Sequence, residues 1–109
     1  MKLKEQEIEL SKIVDEIKHT MFRKGNDYAN EDRLSNFKLA GNILGLSASQ
    51  NCLSLIATKV ARLGVLIKGN EPNNESIDDS ILDLICYSCL LSMIEREKKK
   101  PEFTQHESF

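Results

Sequence analysis

The chain has no run approaching the roughly 18 to 20 consecutive apolar residues that a membrane-crossing helix requires. Its first residues, Met-Lys-Leu-Lys-Glu-Gln-Glu, lack the apolar core of a secretory signal. A cytoplasmic protein with no membrane partner is the expectation. Charge of one sign is missing too. With 15 basic residues against 17 acidic ones, a net charge of −2, no strong field draws the chain to duplex DNA or an anionic bilayer, and polymeric nucleic acid is unsupported as a partner. Three cysteines, Cys52, Cys86 and Cys89, cannot complete a disulfide framework. They lie among apolar neighbours and read as small buried hydrophobes, and Cys86-x-x-Cys89 has no second pair with which to hold zinc. There is no P-loop, no dinucleotide fingerprint and no Ser-His-Asp pattern, and neither His19 nor His106 has a partner at ligand spacing. Strand-like alternation and internal repeats are absent, which leaves an all-α chain whose 109 residues suffice for one domain and one core.

What the chain does have is helical periodicity, in four segments. Over residues 4–22, Leu10, Ile13, Val14, Ile17 and Met21 form one apolar stripe, and Gly25 offers a stop. A second helix is expected over 31–44, with Leu34, Phe37, Ala40 and Leu44 on its apolar side and Gly45 at its end. Ser47 and Gln50 form a capping box for a third over 48–68, whose apolar row is Leu53, Ile56, Val60, Leu63 and Ile67. After a loop centred on Pro72, Ser76 and Asp79 form another capping box for a fourth over 77–98, which Pro101 stops. These make residues 1–100 a compact four-helix bundle-like domain, with 101–109 as a loose tail. The middle of the fourth helix is apolar almost all round. It is therefore either the central helix of the bundle or part of a homo-oligomer interface, most economically a symmetric dimer.

Two polar features stand against this apolar frame. Residues 24–37 are more than a connector needs, since helix–helix joints usually take roughly two to eight residues, and they hold ligand-binding types at Lys24, Asp27, Tyr28, Arg33 and Asn36. Phe37 reads first as core. On the fourth helix Asp79, Asp83 and Tyr87 share one stripe, with Asp83 set between Leu82 and Leu84. A carboxylate there needs an ion-pair partner, hydrogen bonds or a metal. Lys59 and Arg62 on the third helix supply an answer, because antiparallel packing of the third and fourth helices brings them toward Asp79 and Asp83. Two readings remain open. One is an interhelical ion-pair network. The other is a pocket where Lys59 and Arg62 hold phosphate, Asp79 and Asp83 hold a divalent ion or a ribose, and Tyr28, Arg33, Asn36 and Phe37 complete the walls.

The segments Lys24-Gly-Asn-Asp-Tyr-Ala-Asn, Arg33-Leu-Ser-Asn-Phe37, Lys59-Val-Ala-Arg62-Leu63 and Asn74-Glu-Ser-Ile-Asp-Asp-Ser80, with Leu82-Asp83-Leu84 and Tyr87, resemble the nucleotide modification associated domain proteins of phages and bacteria. The likeness spans roughly residues 20 to 95 and implies a nucleotide-related setting and a nucleotide or similar phosphorylated molecule as partner. That family has Asp-Tyr-Gly where this chain has Asp27-Tyr28-Ala29. A weaker similarity links Asp79-Ser-Ile-Leu-Asp83 to the Glu-x-x-x-Asp helix of MazG-like nucleoside triphosphate pyrophosphohydrolases, all-α enzymes that use magnesium. It implies Asp79 and Asp83 as metal ligands and Mg2+ as cofactor. Those enzymes carry a further acidic pair on a preceding helix, where this chain has Lys59 and Arg62. The functional expectations are thus a nucleotide-binding helical protein concerned with nucleotide modification or the sequestration of a nucleotide signal, alternatively a magnesium-dependent nucleotide pyrophosphohydrolase, or alternatively a helical dimer that binds another protein.

Overall fold

The computed structural model describes residues 1–27, 32–69 and 76–100, the side chains of 24–27 excepted. The expected tail and the loop around Pro72 lie outside the described residues. Four helices follow in order, α1 (Leu3–Asp27), α2 (Ser35–Leu44), α3 (Ala48–Ile67) and α4 (Ile77–Lys98), with no strand among the described residues. The expected all-α, four-helix domain is therefore the one observed.

The ends of α3 and α4 fall where their capping signals put them. Ser47 Oγ accepts from the Gln50 N–H and the Gln50 side chain accepts from the Ser47 N–H, a closed capping box. Ser76 Oγ accepts from the Asp79 N–H at 3.0 Å. Gly45 at φ 73° ends α2, and its left-handed turn lets the Leu46 N–H reach the Gly41 carbonyl at 2.8 Å. Two expectations need correcting. α1 does not stop before Gly25 but runs on to Asp27, since a lone glycine costs a helix only about 1 kcal/mol and does not forbid it. α2 begins at Ser35 and not at residue 31. Asp32 Oδ1 accepts from the Leu34 N–H and the Asp32 carbonyl accepts from the Ser35 N–H, both at 3.0 Å, a local turn that competes with helix at this position.

α3 and α4 run antiparallel. Three contacts fix the register: Ser49 Oγ donates to Glu95, the Cys52 thiol donates to the Tyr87 carbonyl at 3.3 Å, and Lys59 pairs with Asp83. α2 packs on α3, and α1 packs on α4. α4 is thus covered in part by both α3 and α1, while Ile81 and Met93 on it stay exposed by 40% or more. Leu34, Cys52 and Ile94 form the buried centre, with Phe37, Ile56, Tyr87 and Leu90 packed against it. Cys52 is wholly buried and burial pushes its thiol up, the behaviour of a small hydrophobe. Cys52, Cys86 and Cys89 are all free thiols.

Candidate functional site

Between the C-terminal end of α1, the start of α2 and one face of α4 lies a cavity of about 890 Å³. Its interior is apolar, built from Phe37, Leu55, Cys86, Tyr87 and Leu90, and Met21 and Phe22 contribute from α1. Polar groups gather at Asp32, Arg33, Asn36, Asn51, Asp83 and Glu97. Arg33 and Asn36 are exposed, because the turn at Asp32 to Leu34 buries Leu34 and leaves its neighbours at the opening. Asn51 is 8% exposed, and its Nδ2 donates to the Phe37 carbonyl at 3.4 Å, so the amide that ties α3 to α2 also lines the cavity.

A second, polar cleft of about 280 Å³ adjoins it and is lined by His19, Thr20, Arg23, Asp79, Leu82 and Asp83. Thr20 and Asp83 belong to both. Asp79 and Asp83 therefore do share a stripe facing one space. Lys59 Nζ stands 2.9 Å from Asp83 Oδ2, with the two side chains 19% and 26% exposed. At that burial the attraction is screened less than on an open surface and removing either charge leaves the other poorly solvated. The ion-pair reading of Asp83 is met by Lys59. Arg62, a turn further along α3, is exposed and lines neither space.

At the other end of the main cavity, Lys38 Nζ lies 2.5 Å from Asp32 Oδ2 and 2.7 Å from Glu97 Oε1. This clamp joins the turn before α2 to the end of α4. The Lys38 hydrogen bond, assisted by the Leu34 N–H, holds the Asp32 carboxyl below its ordinary range, and Asp32 and then Glu97 raise the Lys38 ammonium. Glu95 nearby is held low by Lys98 and then by Ser49.

Of the residues expected in a site, the structure brings Arg33, Asn36 and Asp83 to the main cavity and Asp79 to the adjoining cleft, with Lys59 reaching Asp83 from behind. Lys24 and Asp27 lie on the last turn of α1, but their side chains, like the whole of Tyr28, fall outside the described residues. Sequence reasoning missed His19 and Arg23. They are i, i+4 on α1 and so share a face, the one signal available, but nothing in the sequence said that this face meets α4. The Asp32–Lys38–Glu97 clamp joins residues without any periodic relation and carried no signal. Among the described residues no three His, Cys, Asp or Glu side chains converge on a point that could hold a metal ion. Asp79 and Asp83 as a magnesium pair thus have no third described ligand, and Lys59 competes for Asp83. Magnesium is commonly held by one or two carboxylates together with water and substrate phosphate, and here the Lys59 ammonium, 2.9 Å from Asp83, opposes a cation at that carboxylate.

What fold and site define is an all-α protein with an apolar, ligand-sized cavity and a charged mouth. No family model matches the chain, and neither a curated protein nor a solved structure is found to resemble it.

Proposed function

We propose that the cavity between α1, α2 and α4 binds a nucleotide or a closely related phosphorylated molecule, holding it without converting it. The observation that carries this reading is the composition of one space: an apolar interior with Phe37 and Tyr87, opening past Arg33, Asn36 and Asp83. Its volume of about 890 Å³ falls within the roughly 300 to 1,000 Å³ typical of small-molecule sites. Aromatic and aliphatic walls accept the faces of a base, an amide such as Asn36 reads a base edge or a sugar hydroxyl, and a guanidinium forks onto phosphate. Lys59 is engaged by Asp83, so the phosphate falls to Arg33 at the mouth, with Arg23 in the adjoining cleft as the next cation along. Asp83 accepts from ribose hydroxyls at the junction of the two spaces.

Hydrolysis is the second reading, favoured by Asp79 and Asp83 sharing the polar cleft beside the cavity. One experiment separates the two. Purified protein is incubated with nucleoside mono- and triphosphates and cyclic nucleotides, with and without magnesium, while melting temperature and products are followed. A melting shift with unchanged nucleotide supports holding, whereas magnesium-dependent release of pyrophosphate, lost in Asp83→Asn, supports hydrolysis. If no nucleotide shifts the melt and none is turned over, the nucleotide reading fails.

A further inference from the structure

Asn51 stands in the wall of the main cavity with only 8% of its surface exposed. An amide in such a place calls for partners at both ends, because a buried polar atom without a hydrogen bond destabilises the fold. One end is accounted for. Nδ2 donates to the Phe37 carbonyl at 3.4 Å, and since a carbonyl only accepts, this contact also settles which end of the amide is nitrogen. The backbone is fixed as well. The Asn51 N–H donates to the Ser47 carbonyl at 2.9 Å and the Asn51 carbonyl accepts from Ser54 Oγ at 2.7 Å, so the side chain starts from a rigid point on the first turn of α3.

The other end is different. No donor among the described residues reaches Asn51 Oδ1, and this oxygen is not sealed from solvent as Ser80 Oγ is. The open space beside Asn51 is the cavity, so Oδ1 is an acceptor turned to whatever occupies it. A tie between α2 and α3 explains the nitrogen and leaves the oxygen without a role. Water serves such an oxygen until a ligand displaces it, and a ligand that cannot replace the hydrogen bond loses affinity. The charges have the same sense. Besides Arg33 at the opening, the charged groups lining the cavity are the carboxylates of Asp32, Asp83 and Glu97, while the lysines that pair with them, Lys38 and Lys59, do not line it. A ligand therefore meets a guanidinium at the mouth, suited to phosphate, and a buried acceptor in the wall, suited to an N–H.

We infer that Asn51 selects the base: the cavity takes nucleotides whose base carries an exocyclic amino group, adenine, cytosine or guanine, in preference to hypoxanthine or uracil. This rests on the nucleotide reading of the same cavity. The amino group donates an N–H to Oδ1, whereas a base without it turns a carbonyl oxygen or a C–H to that oxygen and leaves it unserved. Negative charge on Asp32, Asp83 and Glu97 widens the difference, since it repels the oxygen end of a carbonyl and attracts an N–H.

The test compares bases that differ at one group, by isothermal titration into the full-length protein. The pairs are AMP against IMP, CMP against UMP and GMP against IMP, each as mono- and triphosphate. In every pair that binds, the amino-bearing member is expected to bind about tenfold or more tightly, an effect that phosphate and ribose contacts, common to both members, cannot produce. Asn51→Ala, shown by circular dichroism to be folded, is expected to reduce the ratio to about twofold or less. A ratio near one, or tighter binding of the base without the amino group, overturns the inference and leaves the nucleotide reading standing. A ratio that persists undiminished in folded Asn51→Ala overturns it too, because another group then reads the base. If no nucleotide binds, the nucleotide reading fails and this inference with it. Should Asn51→Ala not fold, the ratios measured on the unaltered protein decide the matter alone.

Discussion

Lys59 and Asp83 hold opposite charges at 2.9 Å with about a fifth to a quarter of each side chain exposed. Asp83→Asn removes the negative charge beside the half-buried Lys59 ammonium, and is expected to lower unfolding free energy in urea by about 1 to 3 kcal/mol, less than for a fully buried pair. Replacing both partners, Lys59→Met with Asp83→Leu, should recover most of that loss. Ser80 is an opposite case. It is 0% exposed and its Oγ has no hydrogen-bond partner among the described residues, so Ser80→Ala removes a desolvated hydroxyl and is expected to leave stability unchanged or to raise it by up to about 1 kcal/mol. A loss above that would mean the hydroxyl is satisfied. The Lys38 clamp predicts a pH dependence. Asp32 titrates below its ordinary value of 3.8 in the folded chain, so its contribution is complete above that value and is lost as pH falls through the lowered one. Lys38 titrates above 10.5, and its contribution is complete below that value and lost as pH rises through the raised one. Both side chains are about two-fifths exposed, which limits the effect to about 1 kcal/mol or less. Comparing Lys38→Met with the parent by urea unfolding at pH 3 and pH 6 should give a smaller difference at pH 3.

Among the elements, the closure of α2 onto α3 is the most sensitive to one atom. A Cβ on Gly41 would stand 2.7 Å from the Leu46 carbonyl oxygen and 3.2 Å from that of Ser47, both backbone atoms. Gly41→Ala is therefore expected to cost about 1 to 3 kcal/mol, despite alanine's better helix propensity, and a thermal melt reads it directly. An unchanged or higher melting temperature would show that the turn opens freely. The elements themselves were largely legible in the sequence. Capping signals are local, so Ser47 and Gln50, Ser76 and Gly45 place the starts of α3 and α4 and the end of α2 to within a residue. The misplaced ends, Gly25 and the start of α2, are where a local signal was weak or was overruled by the Asp32 side chain. The site was legible only in part. Asp83 announces itself because a carboxylate in an apolar run needs a partner, and the short loop to α3 identified Lys59. His19, Arg23 and the Lys38 clamp depend on how α1 lies across α4 and on the turn at Asp32, which no periodicity encodes.

For the whole molecule, α2 packed on α3, with α3 and α1 packed on α4, leaves a cavity lined from all four helices. The central claim is that the cavity takes a nucleotide. Arg33→Ala removes the guanidinium proposed to hold phosphate and leaves the Leu34–Cys52–Ile94 core residues in place. A charge-assisted hydrogen bond contributes roughly 1.5 to 3 kcal/mol, so the variant should bind at least about tenfold more weakly. The direct measurement is isothermal titration of a nucleotide panel into the protein and into Arg33→Ala, both shown by circular dichroism to be folded. The expected result is binding of at least one nucleotide at one molecule per chain, weakened tenfold or more by the substitution. Absence of binding by every nucleotide tried, or binding that Arg33→Ala leaves unchanged, would contradict the account.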